Sequence, residues 1–246
     1  MAASYKNPTD RFSPFNSRPV AIARPPGIGR FAELMYFTAP LNHKPSLKLP
    51  LQLFRVRNIE NQPNLKRGRL FFTSRLKKPG RFDYICYKAV NPEKGVTLFT
   101  HRLCGIPGDT LEIRNGILYV NKENVDLRLR LMHVYKINSE DTFRLRYDPA
   151  LTYTVPPYTD TLYVPLEDQY VQNNSLPCKR HVLPPGLRDE KIFRVFRKNW
   201  NQDNFGPVRI PKDKYFVLGD NRGHSTDSRY LGLIPRSNYI GTVLWK

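Results

Sequence analysis

The stretch Tyr215 to Arg229, Tyr-Phe-Val-Leu-Gly-Asp-Asn-Arg-Gly-His-Ser-Thr-Asp-Ser-Arg, constrains this chain more than any other. A short apolar strand, Tyr215 to Leu218, runs straight into the tight polar turn Gly219-Asp220-Asn221-Arg222, and hydroxyls and carboxylates follow at once. A loop of this kind presents side chains into a cleft. Gly219 lets the backbone turn, Asp220 and Asn221 bond nearby amides, and Asp227 with Arg229 forms a carboxylate-to-guanidinium pair that fixes the loop's shape.

This loop resembles the Gly-Asp-Asn-Arg-x-x-Ser-x-Asp-Ser-Arg signature of the type I signal peptidases, serine proteases that cut leader peptides from exported proteins. Every fixed position of the pattern is present. His101-Arg102-Leu103-Cys104-Gly105-Ile106-Pro107-Gly108-Asp109 is similar to the family's Lys-Arg-x-x-Gly-x-Pro-Gly-Asp box, with His101 in place of the lysine that activates the nucleophile. Signal peptidases of the endoplasmic-reticulum type carry histidine there, in a His-Arg-Val context that His101-Arg102-Leu103 resembles. The resemblance gives Ser225 the task of orienting that base, and Arg102, Pro107, Gly108, Asp109, Gly219, Asp220, Asn221, Arg222, Asp227 and Arg229 structural tasks around it. Trp200 to Pro211, after a long insertion, is similar to the long forms found in Bacteroidetes.

The nucleophile is where the chain departs from the family. The serine box reads Ser-Met-x-Pro-Thr-Leu-x-x-Gly-Asp, and Pro63, Leu65 and Gly68 fall on its proline, leucine and glycine. On that register Glu60 stands at the nucleophile position, Asn61 replaces the methionine and Arg69 the aspartate. A carboxylate adduct would be a labile anhydride, so Glu60 implies loss of the nucleophile and a pairing with His101 instead. Pro45-Ser46-Leu47 supplies a rival register with Ser46 as nucleophile. Arg81-Phe82-Asp83-Tyr84-Ile85-Cys86-Tyr87 resembles the family's Arg-Gly-Asp-x-Val-x-Phe box, in which Asp83 would help fold a loop near the site.

Strands are expected at Leu49 to Val56, Gly68 to Leu76, Arg81 to Lys88 and Thr97 to Leu103, from alternation bounded by turn residues. Asn115-Gly116 between Leu111 to Arg114 and Ile117 to Val120 is the strongest hairpin signal, because a type I′ turn needs positive φ at both positions. Between Asn121 and Asn204 the pattern gives strands at Leu127 to Ile137, Phe143 to Tyr147 and Thr161 to Val164, and a short helix near Tyr163 to Asn174.

With 40% apolar and 12% aromatic residues the chain has the composition of a folded protein. A formal charge of +19 attracts phosphates, anionic headgroups and acidic partners without choosing among them. Between Lys44 and Lys88 twelve Lys and Arg face only Glu60 and Asp83. Cys86, Cys104 and Cys178 leave one thiol unpaired and none sits at metal-ligand spacing, so neither a metal nor a cofactor is expected. No apolar run reaches the roughly 18 residues of a membrane-crossing helix. Met1 to Arg30 reads as a basic, Pro-rich arm, and Phe31 to Pro40 as the remnant of an anchor.

The expectation is an all-β protein: a basic Pro-rich arm at 1–48, a signal-peptidase-like bent sheet or barrel core at 49–120 and 205–246, and an inserted β-rich lobe at 121–204. Three functions follow from the resemblance and the charge. The first is a non-catalytic relative that binds an extended peptide or partner protein at or near a membrane. The second is an active Ser/His endopeptidase, and the third a basic protein seated on an anionic membrane surface or on nucleic acid.

Overall fold

The structure, a computed structural model, describes residues 51–91, 95–145, 153–154 and 160–245. Ser46, the basic arm and the apolar patch Phe31 to Pro40 lie outside the described residues. The described chain is mostly strand. In order the strands are β1 Leu51–Arg55, β2 Leu70–Ser74, β3 Tyr84–Asn91, β4 Gly95–Gly105, β5 Thr110–Arg114, β6 Ile117–Val120, β7 Glu123–Asn124, β8 Met132–Asn138, β9 Tyr153–Thr154, β10 Thr161–Glu167, β11 Cys178–Arg180, β12 Phe205–Arg209, β13 Lys214–Leu218, β14 Ile234–Pro235 and β15 Tyr239–Trp245. Three short helices accompany them, α1 Asp168–Asn173, α2 Glu190–Phe196 and α3 Ser228–Leu231.

The strands form three open sheets, and the all-β expectation holds. The largest has the order β1-β2-β15-β3-β4-β13-β14, and two four-stranded sheets have the orders β12-β5-β6-β7 and β11-β8-β10-β9. Alternation explains the packing of the first sheet's flank. Phe54 and Phe71 are register partners on one face and stack at 5.9 Å above Val56, Leu65 and Val243. Beneath β3, β4 and β13, Ile85, Tyr87, Leu103 and Val217 are buried together, and each large apolar side chain removed from water contributes roughly 1.5–3 kcal/mol. Asn115 and Gly116 take φ of 50° and 73°, as a type I′ hairpin requires.

Strand β4 positions the site. It pairs with β3 from Asn91↔Gly95 to Tyr84↔Arg102, but with β13 only between Arg102 and Gly105. From Val96 to Thr100 its β13 side therefore has no strand neighbour among the described residues.

The insertion departs from expectation in three places. The expected strand Leu127 to Ile137 begins only at Met132, because Asp126 to Arg128 forms a single 3-10 turn, with the Asp126 carboxylate accepting from Leu118 N (2.9 Å) and from Arg222. Ser139–Arg144 is a 3-10 helix where the strand Phe143 to Tyr147 was expected to start. The expected helix Tyr163 to Asn174 starts at Asp168, because Thr161 to Glu167 is committed to a full antiparallel register with β8. Helix α2 carries a signal that alternation hides: Asp189 caps it, accepting from Lys191 N and Ile192 N, and Ile192 turns into the core.

Candidate active site

His101 is fully buried on β4, and its ring is held from three sides. Phe99 stacks against it at 5.8 Å, and the Tyr87 hydroxyl reaches Nδ1 at 2.7 Å. At Nε2 two groups converge: Glu60 Oε2 at 3.0 Å and Ser225 Oγ at 3.4 Å. Two chain segments far apart in sequence thus meet over one imidazole. Burial holds the Tyr87 phenol well above its ordinary pKa, so it stays a neutral hydroxyl able to donate or accept.

The Glu60 carboxylate is held by three donors and is 7% exposed. Asn58 Nδ2 donates to Oε2 at 2.5 Å, Thr226 N donates to Oε1 at 3.1 Å, and His101 Nε2 closes the set. With Glu60 as a carboxylate, Nε2 donates to it and the Tyr87 hydroxyl can donate to Nδ1. With its proton on Nε2 the imidazole cannot accept one at that nitrogen. Next to it, Asn61 Nδ2 donates to the Thr100 carbonyl at 2.5 Å, on the unpaired edge of β4.

The loop from Gly219 to Arg229 is fixed by buried ion pairs. Arg229 grips Asp227 through Nε and Nη2, both at 2.9 Å, and its Nη2 also donates to the Arg222 carbonyl at 2.8 Å. Asp227 caps α3 and accepts from Gly219 N at 3.1 Å. Burial alone would raise the Asp227 carboxyl, but the Arg229 guanidinium beside it more than offsets this and holds it below the usual carboxylate range. Asp220 accepts from Arg102 Nε and Nη2 at 2.7 Å each, from Asn64 Nδ2 at 2.6 Å and from the Tyr84 hydroxyl. Arg222 forms a second fork on Asp126, at 2.8 and 3.0 Å. Asn221 N donates to the Glu60 carbonyl at 2.9 Å, tying the two segments together.

Two assignments change in the structure. Gly219 serves for space rather than for turning, since a Cβ there would run into Ser225 Oγ and would lie 2.5 Å from the Glu60 carbonyl oxygen. Asp83 closes the turn at Lys77 and Gly80, accepting from Lys77 Nζ at 2.8 Å and Gly80 N at 2.9 Å, and its carboxylate takes no part in the contacts around His101. Pro107, Gly108 and Asp109 form the turn between β4 and β5, where Asp109 accepts from Ile106 N, Arg81 and Asn121.

Asn58, Tyr87 and the Thr226 amide were not singled out from sequence. Tyr87 reaches His101 only through the β3–β4 register, and a backbone amide leaves no sequence signal. Burial pushes the Cys86 and Cys104 thiols up to about 12, so both are neutral thiols near neutral pH. Among the described residues no cluster of His, Cys, Asp and Glu is arranged to hold a metal ion.

Fold and site together define an all-β protein with a buried, histidine-centred polar cluster where two loops meet. The family sequence model for signal peptidase, peptidase S26, matches residues 47–246, and the chain belongs to that family. Signal peptidase I of Aquifex aeolicus (strain VF5) is 30% identical over 199 residues, covering 77% of this chain and 73% of that protein. Signal peptidase I P of Bacillus subtilis subsp. natto is 28% identical over 174 residues, covering 70% of this chain, which spans 63% of that protein's length. A crystal structure of a signal peptidase I from Enterococcus faecalis V583 aligns at 23% identity with a TM-score of 0.34, covering 68% of this chain and 98% of that one.

Proposed function

We propose that this chain is a non-catalytic member of its family that holds an extended peptide instead of cutting it. The observation that carries this reading is Glu60 Oε2 at 3.0 Å from His101 Nε2, at the nucleophile position of the aligned serine box. The carboxylate brings no attacking hydroxyl, keeps the proton on Nε2, and places negative charge where an oxyanion would develop. The peptide enters by adding as a strand to β4 from Val96 to Phe99, on the side that has no strand neighbour among the described residues, which needs backbone groups and no serine.

The charge suits a location beside an anionic membrane surface. Arg55, Arg57, Lys66, Arg67 and Arg69 are exposed around the Glu60 segment, and no ion pair ties them to another described residue. Among the described residues no helix is long and apolar enough to cross a membrane, so this contact is read as peripheral. Nucleic acid is the competing polyanion, and a retention assay with anionic vesicles and with RNA separates the two.

The test pairs binding with turnover. A fluorescent leader-type peptide should bind the protein saturably and be recovered intact by mass spectrometry. Glu60→Ser should create a hydroxyl beside His101 and give slow labelling at residue 60 by a serine-directed acylating reagent. Cleavage by the parent protein, with labelling at Ser46 that His101→Ala abolishes, would establish the endopeptidase reading instead.

A further inference from the structure

The groups around Glu60 have the makings of a different reaction centre, one not built on residue 60. Ser225 is buried, and its Oγ lies 3.4 Å from His101 Nε2. The backbone amide of the next residue, Thr226 N, points at Glu60 Oε1 from 3.1 Å, and Asn58 Nδ2 points at Oε2 from 2.5 Å. An amide immediately after a serine is a recurring oxyanion donor in acyl-transfer sites, and here both donors are satisfied by a carboxylate lodged between them. We propose that Ser225, His101 and the Thr226 amide form an acyl-transfer centre that the Glu60 side chain holds shut.

The chemistry depends on the imidazole tautomer. While Glu60 is in place, Nε2 carries its proton and cannot serve Ser225. Without the carboxylate, the ring proton moves to Nδ1 and donates to the Tyr87 oxygen, which lies at 2.7 Å, and Nε2 is left bare beside Ser225. The substrate is the carbonyl of an ester or peptide bond carried along the open side of β4. Ser225 Oγ then bonds to the carbonyl carbon as its proton passes to Nε2, and the oxyanion accepts from Thr226 N and Asn58 Nδ2. The imidazolium returns the proton to the departing alkoxide or amine as the old C–O or C–N bond breaks, which leaves the acyl group on Ser225. Glu60 is thus an autoinhibitory residue, and Gly219 is required beside it because any Cβ would collide with Ser225 Oγ.

The experiment uses the full chain and a small fluorophosphonate, with the adduct located by peptide mass mapping. The parent should show no adduct at Ser225. Glu60→Ala should be labelled at Ser225 at least tenfold faster than the parent, and the adduct should vanish in Glu60→Ala/His101→Ala and in Glu60→Ala/Ser225→Ala. Glu60→Gln removes the charge and with it the demand that Nε2 carry the proton, so it reports if Glu60→Ala does not fold; slower labelling at the same serine is expected. Folded Glu60→Ala or Glu60→Gln with no Ser225 adduct overturns the proposal. So does an adduct that survives loss of His101, or equal labelling of the parent. The outcome is independent of peptide retention by the parent, so a failure of either reading is recognisable.

Discussion

The two segments that meet at His101 have been kept to different standards. From Gly219 to Arg229 every position of the family pattern is present, and each charged group is held by a buried or half-buried partner: Asp227 by Arg229, Asp220 by Arg102, Arg222 by Asp126. The segment from Asn58 to Arg69 has the proline, leucine and glycine of the serine box, and the register read from them sets Glu60 at the nucleophile position. The difference follows from what each segment contributes. The first is a frame, in which one lost partner strands a buried charge, whereas the second sets a buried carboxylate against the imidazole, which packs without penalty as long as its polar atoms are satisfied. Glu60 satisfies this condition with three hydrogen bonds, from Asn58, His101 and Thr226 N.

The largest effect that would break this comparison is in the frame. Asp227→Ala leaves the Arg229 guanidinium, 2% exposed, without its carboxylate and removes the cap of α3, so a loss of roughly 3–5 kcal/mol is expected. Urea denaturation monitored by circular dichroism checks it. A midpoint equal to that of the parent would show that the loop is not held by this pair.

Acid should sharpen the same contrast by acting on the frame and the inserted sheet. Burial pushes the His133 imidazole below its ordinary pKa, a shift that Asp168 at 2.8 Å only partly offsets, and burial also lowers His224. Each is more easily protonated unfolded than folded, so its contribution is complete above the unfolded value of about 6.5 and is lost as pH falls below it. The carboxyls of Asp227 and Asp168 are also held low, by Arg229 and by His133 against burial, so their contribution is present above about 4 and disappears as pH drops through their folded values. Stability should therefore decline in two stages from neutrality downward. Thermal melts at half-unit pH intervals should show the first stage flattened in His133→Gln, and a parent whose midpoint is constant from pH 7 to 5 would contradict it.

What sequence made legible follows the distance over which each interaction acts. The Asp227–Arg229 pair spans two positions and the Asn115-Gly116 hairpin is wholly local, so both could be read directly. Arg102, Tyr84 and Asp220 belong to three different strands or loops, and only the sheet order brings them together. The insertion was read least well, because polar contacts from elsewhere decide its local geometry: Arg222 and Leu118 hold the Asp126 turn, and alternating residues before Met132 are drawn out of extension. Even at the centre of the site, Gly219 was legible as a glycine but not for its reason. The crowding by Ser225 Oγ and the Glu60 carbonyl exists only once two loops have met.

The smallest expected effect is at Ser225, the position where frame and chemistry overlap. Its hydroxyl makes a long contact to Nε2, while Glu60 supplies the shorter partner on the same nitrogen, so Ser225→Ala leaves the imidazole satisfied. Removing one such hydrogen bond should cost no more than about 1 kcal/mol. The melting temperature should stay close to that of the parent, and retention of the leader-type peptide should be unchanged, because the backbone of β4 does the holding. A loss approaching that of Asp227→Ala would place Ser225 in the frame. It would then be a structural serine as well, and the acyl-transfer centre proposed for it would be judged in Glu60→Ala and Glu60→Gln, which keep the hydroxyl.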